Sequence, residues 1–227
     1  MNSNAIDYFS LGHPLRGIAS RISFYMRKKM FSLFVKIMHP TSLSRILDVG
    51  VTPDQTLPES NFFEKLYPYK DLLVAISIED ASFLEKEYLG LKFVRTGKQS
   101  LPFAEKSFDI VFCSAVLEHV GNRESQKRFI EELLRISRRF FIVTPNRQFP
   151  VEFHTFWPFI HWLPQSVHQT LLRRLGMEFW SHTENLNLLT PRSFLSLFPV
   201  DSSVCLLRQH LLLLPSNLIA CGDSHLG

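Results

Sequence analysis

The chain has 227 residues, a net charge of +4, 45% hydrophobic residues and 20% charged ones. That length can bury one sizeable core, and that balance excludes a disordered chain. Cys113, Cys205 and Cys221 lie far apart in apolar runs with no CxxC pair, which argues against a disulfide framework and fits a reducing cytoplasm.

Charge is unevenly placed. The first forty residues carry Arg16, Arg21, Arg27, Lys28, Lys29 and Lys36 against Asp7 alone, so the rest of the chain is close to neutral and gives no electrostatic reason to expect nucleic acid as a partner. The polar start lacks a signal peptide's apolar block, and no uninterrupted apolar run is long enough to span a bilayer.

Residues 1–40 read as a basic extension with an amphipathic helix from Leu15 to Met38, in which Ile18, Ile22, Tyr25, Met26, Phe31, Phe34, Val35 and Met38 recur at near-helical spacing. It is expected to cover an edge of the core. The alternative is peripheral contact with the inner face of a membrane, its lysines and arginines meeting anionic headgroups.

Residues 41–227 then form the main domain. SRILDVG is a first strand. Asn61 with Glu64 fits a capping box opening the helix in LPESNFFEKLY, and LLVAISI is a second strand. Asp80 is placed to cap a short helix over 81–88, KFVRT is a third strand, and FDIVFCS a fourth. Asn122 is placed to cap a helix through Ser137, and FFIVT is a fifth strand stopped by Pro145. Strands alternating with helices predict parallel pairing with right-handed crossovers, hence an α/β, Rossmann-like, doubly wound sheet with helices on both faces.

The segment 147–200 departs from this alternation. Phe153, Phe156, Trp157, Phe159 and Trp162 crowd a proline-broken stretch. A helix is expected near 165–175, ended by Gly176, and another after Thr190 and Pro191. SVCLLRQ and SNLIACG read as two last strands.

In an open α/β sheet, ligands bind beyond the carboxyl ends of the strands. Asp48 and Gly50 end the first strand there, Glu79 the second, Thr96-Gly97-Lys98-Gln99 follow the third, and Ser114, Ala115, Glu118 and His119 the fourth. His154, His161 and His168 recur every seven residues, but Pro158 and Pro164 break any helix aligning them, so no metal site is expected. No GxSxG, P-loop or HExxH pattern is present, and the absence of GxGxxG argues against a nicotinamide-dependent oxidoreductase.

The segment LPFAEKSFDIVFCSAVLEHV, residues 101–120, resembles the fourth-strand region of class I S-adenosylmethionine-dependent methyltransferases, particularly the type 11 group, and the likeness runs from Ser44 to Asn146. The resemblance implies a mostly parallel seven-stranded sheet whose last two strands form an antiparallel hairpin, with 147–200 as a lid. It implies S-adenosyl-L-methionine as cofactor and a small-molecule acceptor, which the aromatic lid suggests is hydrophobic or lipid-linked. By the same resemblance Asp48, Gly50 and Thr52 form the cofactor loop, and Glu79 holds both ribose hydroxyls. Gly97 or Gln99 approaches adenine in place of the usual acid. Ser114 and Ala115 line the transferred methyl, and His119 or His154 is the candidate base. Two departures stand out: Thr52 and Asp54 replace glycines of the family loop. They support the alternative of an inactive scaffold.

Overall fold

The computed structural model describes residues 16–97 and 101–224, with the side chains of residues 16, 18 and 19 excepted. Seven strands, β1 (Ile46–Val49), β2 (Leu73–Ser77), β3 (Lys92–Arg95), β4 (Phe108–Ser114), β5 (Ser137–Pro145), β6 (Ser203–Leu211) and β7 (Leu214–Asp223), form one sheet in the order β3-β2-β1-β4-β5-β7-β6. The chain reverses direction across the sheet between β1 and β4, both of which pair in parallel with their neighbours. β7 alone runs antiparallel, to β5 on one side and β6 on the other. The expected α/β fold, including its terminal hairpin, is the fold observed.

Alternating strand residues sort into two cores. On one face Leu47, Val49, Val111 and Cys113 meet α4 (Arg123–Ile136) and α6 (Pro191–Leu195) through Ile130, Leu133, Leu134 and Phe194. On the other, Ile46, Ala75, Ile110, Phe112 and Phe141 meet α1 (Arg16–Met38), α2 (Phe62–Leu66) and α3 (Leu84–Glu87). Phenylalanine dominates this second face. Phe63 stacks on Phe112 with ring centroids 4.4 Å apart, and Phe34 sets its edge against Phe63, Phe112 and Phe141 at 5.1–5.5 Å.

Several local signals behave as read. Asn122 caps α4 by accepting from the Ser125 amide, and Thr190 with Ser193 closes a capping box on α6. α5 (Gln165–Arg174) is followed by Gly176 in a left-handed conformation. Asp80 accepts from the Ser82 amide in a turn just before α3 rather than at the helix end itself.

Two expectations are corrected. α1 buries Met26, Met30, Phe34 and Met38, a strict four-residue stripe, while Ile22, Tyr25 and Val35 remain exposed. The register of packing, rather than the whole apolar set, decides which face turns inward. Asn61 and Glu64 form no capping box. Asn61 adopts φ +51°, and its side chain leaves the helix for the preceding loop, while Glu64 is buried.

α1 is thus anchored to the sheet along its length. Arg139 donates to the Met38 carbonyl at 2.8 Å, Gln209 to the Met26 carbonyl at 2.7 Å, and Ser20 to Glu59 at 2.5 Å. Phe34 is fully buried at the centre of this contact. Phe34→Ala should therefore lower unfolding free energy by about 3–5 kcal/mol, the usual cost of emptying such a site. Denaturant titration checks this, and a loss below about 1 kcal/mol would mean that α1 is not part of the core.

Candidate active site

A cleft of about 510 Å³ opens at the carboxyl ends of β1, β2 and β4 and is roofed by α1. Its size suits a cofactor-sized molecule, and its place at the strand-order reversal is where open α/β sheets bind ligands. Asp48, Gly50, Thr52, Glu79, Gly97, Ser114, Ala115, His119 and His154 all line it. Gln99 lies outside the described residues.

The loop after β1 is tight by means other than glycine. Gly50 has φ +100°, and a Cβ there would fall 2.1 Å from a Val116 methyl, so only glycine fits. Beyond it, Asn61 accepts from the Thr52 amide and donates to the Thr52 carbonyl, both at 2.9 Å. Asp54 does not face the cleft. It accepts from the amides of Thr56 and Leu57 and from the hydroxyls of Thr56 and Ser60, and these donors hold its carboxyl below its ordinary range despite partial burial. Asp54 therefore shapes the loop.

Glu79 follows β2 and lines the cleft, whereas the exposed Asp80 turns to its own Ser82. Ser114 ends β4 with its hydroxyl 3.5 Å from the Met30 sulfur of α1, and Ala115 takes φ +57° as the chain leaves the sheet.

Two features were missed in the sequence. Arg27 of α1 lines the cleft, half-buried. Burial lowers its pKa, and Glu59, Glu118 and Asp48 act in the opposite direction. Its guanidinium also stands 5.0 Å above the Phe62 ring. The second is the meeting of Asp48 with Glu64. Asp48 shares the face of β1 on which α2 packs, so the two carboxyls are buried side by side. Burial, then the neighbouring Glu64, holds Asp48 well above its ordinary range, and burial raises Glu64 as well.

Glu118, His119 and His154 also line the cleft, as a cluster of their own. Glu118 is fully buried, and that burial pushes it up to about 7. Its Oε2 accepts from the Thr144 hydroxyl at 3.2 Å. His119 Nδ1 donates to the Asn185 carbonyl at 2.6 Å, and burial, then His154, drives the imidazole down to about 3, so it is neutral. His154 Nδ1 contacts Glu152 at 2.5 Å, and Glu152 outweighs burial to raise its pKa. Glu152 in turn accepts from the amides of His154 and Thr155, which fixes the turn presenting the ring.

The lid is stapled to this corner. Asn187 donates to the Glu118 and Gly121 carbonyls at 2.8 Å, and Gln126 bridges the Leu117 and Asn187 carbonyls at 3.0 Å. The expected separation of the seven-spaced histidines is observed: His161 Nε2 contacts the Phe149 carbonyl, away from the cleft. A different grouping forms instead: Glu118 and His119, from the segment after β4, meet His154.

The Asp48–Glu64 pair has a pH signature. Both groups keep their protons to higher pH folded than unfolded, so the folded chain binds more protons above the ordinary carboxyl value of about 4, and stability falls as pH rises. Glu64→Gln removes one of the two charges. Its melting temperature should decline less than that of the natural chain between about pH 4 and 8. Parallel melting curves across that range would rule out the shared burial of charge.

Comparison with known proteins agrees with this architecture. Residues 67–139 match the family model described as a methyltransferase domain. No curated protein matches the sequence significantly. Among solved structures, a protein from Pyrococcus horikoshii OT3 is similar over 96% of this chain and 94% of its own, at 13% identity and a TM-score of 0.58. Magnesium protoporphyrin IX methyltransferase from Synechocystis PCC 6803, with bound S-adenosylhomocysteine, is similar over 95% of this chain and 90% of its own, at 13% identity and 0.57. The N-methyltransferase NodS from Bradyrhizobium japonicum WM9 follows at 14% identity and 0.54, over 87% of this chain and 94% of its own. The matched segment is thus similar to a methyltransferase domain, and the seven-stranded fold of the chain is the one these solved structures share.

Proposed function

We propose that the chain transfers a methyl group from S-adenosylmethionine to a small acceptor with a hydrophobic body. One observation carries the reading: a single cleft joins the tips of β1, β2 and β4 and is lined by Glu79, Arg27, His119 and His154. When bound, the cofactor supplies a methyl already activated on a sulfonium.

The residues fit that molecule. Glu79 offers two acceptor oxygens to the ribose diol. Gly50 and the Thr52 segment permit close backbone approach, and Gly97 leaves room beside the adenine; an added Cβ there would meet nothing within 4 Å. Arg27, which lines the same cleft, would pair with the cofactor carboxylate. Ser114 and Ala115 line the path of the methyl, and α1 excludes water above it. His119 and His154 contact the acceptor. Proximity and alignment account for most of the acceleration in such a transfer, because the leaving group needs no further activation.

The acceptor class follows from the walls. Ile22, Met26, Phe153, Phe156 and Leu211 line the cleft with the polar groups, which favours a hydrophobic or lipid-linked molecule. Nearby, Trp157, Phe159 and Trp162 are 42–53% exposed. This aromatic group, rather than α1, is the part suited to peripheral membrane contact, since the inward stripe of α1 is already used. Co-sedimentation with anionic vesicles should fall when Trp157 and Trp162 are both changed to alanine. An unchanged bound fraction would remove the membrane from the proposal.

Calorimetry with S-adenosylhomocysteine tests the function. Micromolar binding is expected. Glu79→Ala and Arg27→Ala should each weaken it by roughly 1.5–3 kcal/mol, the value of a charge-assisted hydrogen bond, and Asp80→Ala should leave it nearly unchanged. Absence of binding by folded protein would overturn the reading in favour of a scaffold.

A further inference from the structure

We propose that Glu118, His119 and His154 form a binding site for one divalent transition-metal ion, and that the acceptor bears a hydroxyl group that the ion holds. The second clause rests on the methyl-transfer reading, and the first does not.

One ligand atom from each of the three residues lies within 4.8 Å of the other two, and all three residues line the cleft. The second observation is the state of Glu118. Its side chain is completely buried, Oε2 is satisfied by Thr144, and Oε1 has no hydrogen-bond partner among the described residues. A buried carboxylate oxygen left in that condition costs free energy unless something occupies it. That oxygen faces His119 Nε2 at 4.0 Å.

Each of the three groups is also held from behind, as metal ligands are. Glu152 engages His154 Nδ1 at 2.5 Å and leaves Nε2 to act as ligand atom. The Asn185 carbonyl takes His119 Nδ1 and fixes the ring with Nε2 toward Glu118. Thr144 orients Glu118. Bonds of about 2.0–2.2 Å would bring the three atoms closer together than they stand, a contraction that small side-chain rotations provide.

Two imidazoles and one carboxylate choose the ion. They suit zinc, cobalt, nickel or ferrous iron, and not magnesium or calcium, which prefer oxygen alone. Three protein ligands leave at least one position open, the pattern of a catalytic rather than a structural centre. The open side is the cleft, close to Ser114 and Ala115.

This arrangement discriminates between acceptors. An amine coordinated to the ion would spend the lone pair needed for attack. A hydroxyl oxygen keeps another. Coordination favours loss of the hydroxyl proton to solvent. The oxygen then donates a lone pair to the methyl carbon as the carbon–sulfur bond breaks, and that bonding pair stays on sulfur, giving a methyl ether and a neutral thioether.

The test uses untagged, chelator-treated full-length protein titrated with cobalt(II) and read by visible absorption. One equivalent should bind with a ligand-field spectrum, zinc should displace it, and magnesium should not. Glu118→Gln and His154→Ala should each weaken cobalt binding at least tenfold, and Glu152→Gln by roughly tenfold. The surface variant His182→Ala should bind like the natural chain. S-adenosylhomocysteine calorimetry on the same samples reports folding and the cofactor site separately. Cobalt binding that is absent, or equal in Glu118→Gln, His154→Ala and the natural chain, overturns the metal site. Cobalt binding without S-adenosylhomocysteine binding supports the metal site and overturns only the methyl-transfer reading.

Discussion

The cleft depends on charge buried between α1 and the sheet. Asp48, Glu59 and Glu118 are buried, with the half-buried Arg27 among them, and removing such groups from water costs several kcal/mol per ion before any attraction is counted. The apolar stripe of the same helix offsets that cost. Met30, Phe34 and Met38 each leave water on docking, and full burial of such side chains contributes about 1.5–3 kcal/mol apiece. One helix therefore carries both the polar group that the cleft uses and the apolar surface that holds it there. The roof of the cleft and the charged group beneath it thus depend on the same docking of α1.

Much of the fold was legible because its signals are local. β4 and β5 are short apolar runs rich in phenylalanine and branched residues, and Asn122 and Thr190 cap helices in the ordinary way. Asn61 misled because a capping pattern describes only what neighbours in sequence can do. Its side chain found two backbone partners at Thr52, nine residues away, and Glu64 was then drawn inward beside Asp48. Nothing within that segment announces either outcome. The same limit hid Arg27. In a basic helix every arginine reads as a solvated charge, and only the position of the buried stripe reveals that this one turns inward.

The histidine end shows a different limit. His119 and His154 were each visible as candidates, yet spacing along the chain grouped His154 with His161 and His168. The sheet regroups them. Glu118 and His119 leave β4 on the side where the lid returns, and the Glu152 turn carries His154 into contact with His119, their rings 4.9 Å apart. A signal was available in Glu-x-His at 152–154, where an acid two residues before a histidine can take both its amide and its ring nitrogen. Its partner across the cleft was not deducible from spacing.

The atypical loop after β1 also bears on whether the site is intact. In the resembling family glycines let the chain turn tightly and expose its amides. Here the turn is kept by side chains: Asn61 grips Thr52 at both amide and carbonyl, and Asp54 gathers four donors from Thr56, Leu57 and Ser60. A loop that had lost its ligand would have no reason to keep Gly50 in a conformation only glycine tolerates, pressed against Val116 at the tip of the neighbouring strand. The missing glycines mark a different way of building a tight turn, held by side chains of the loop itself.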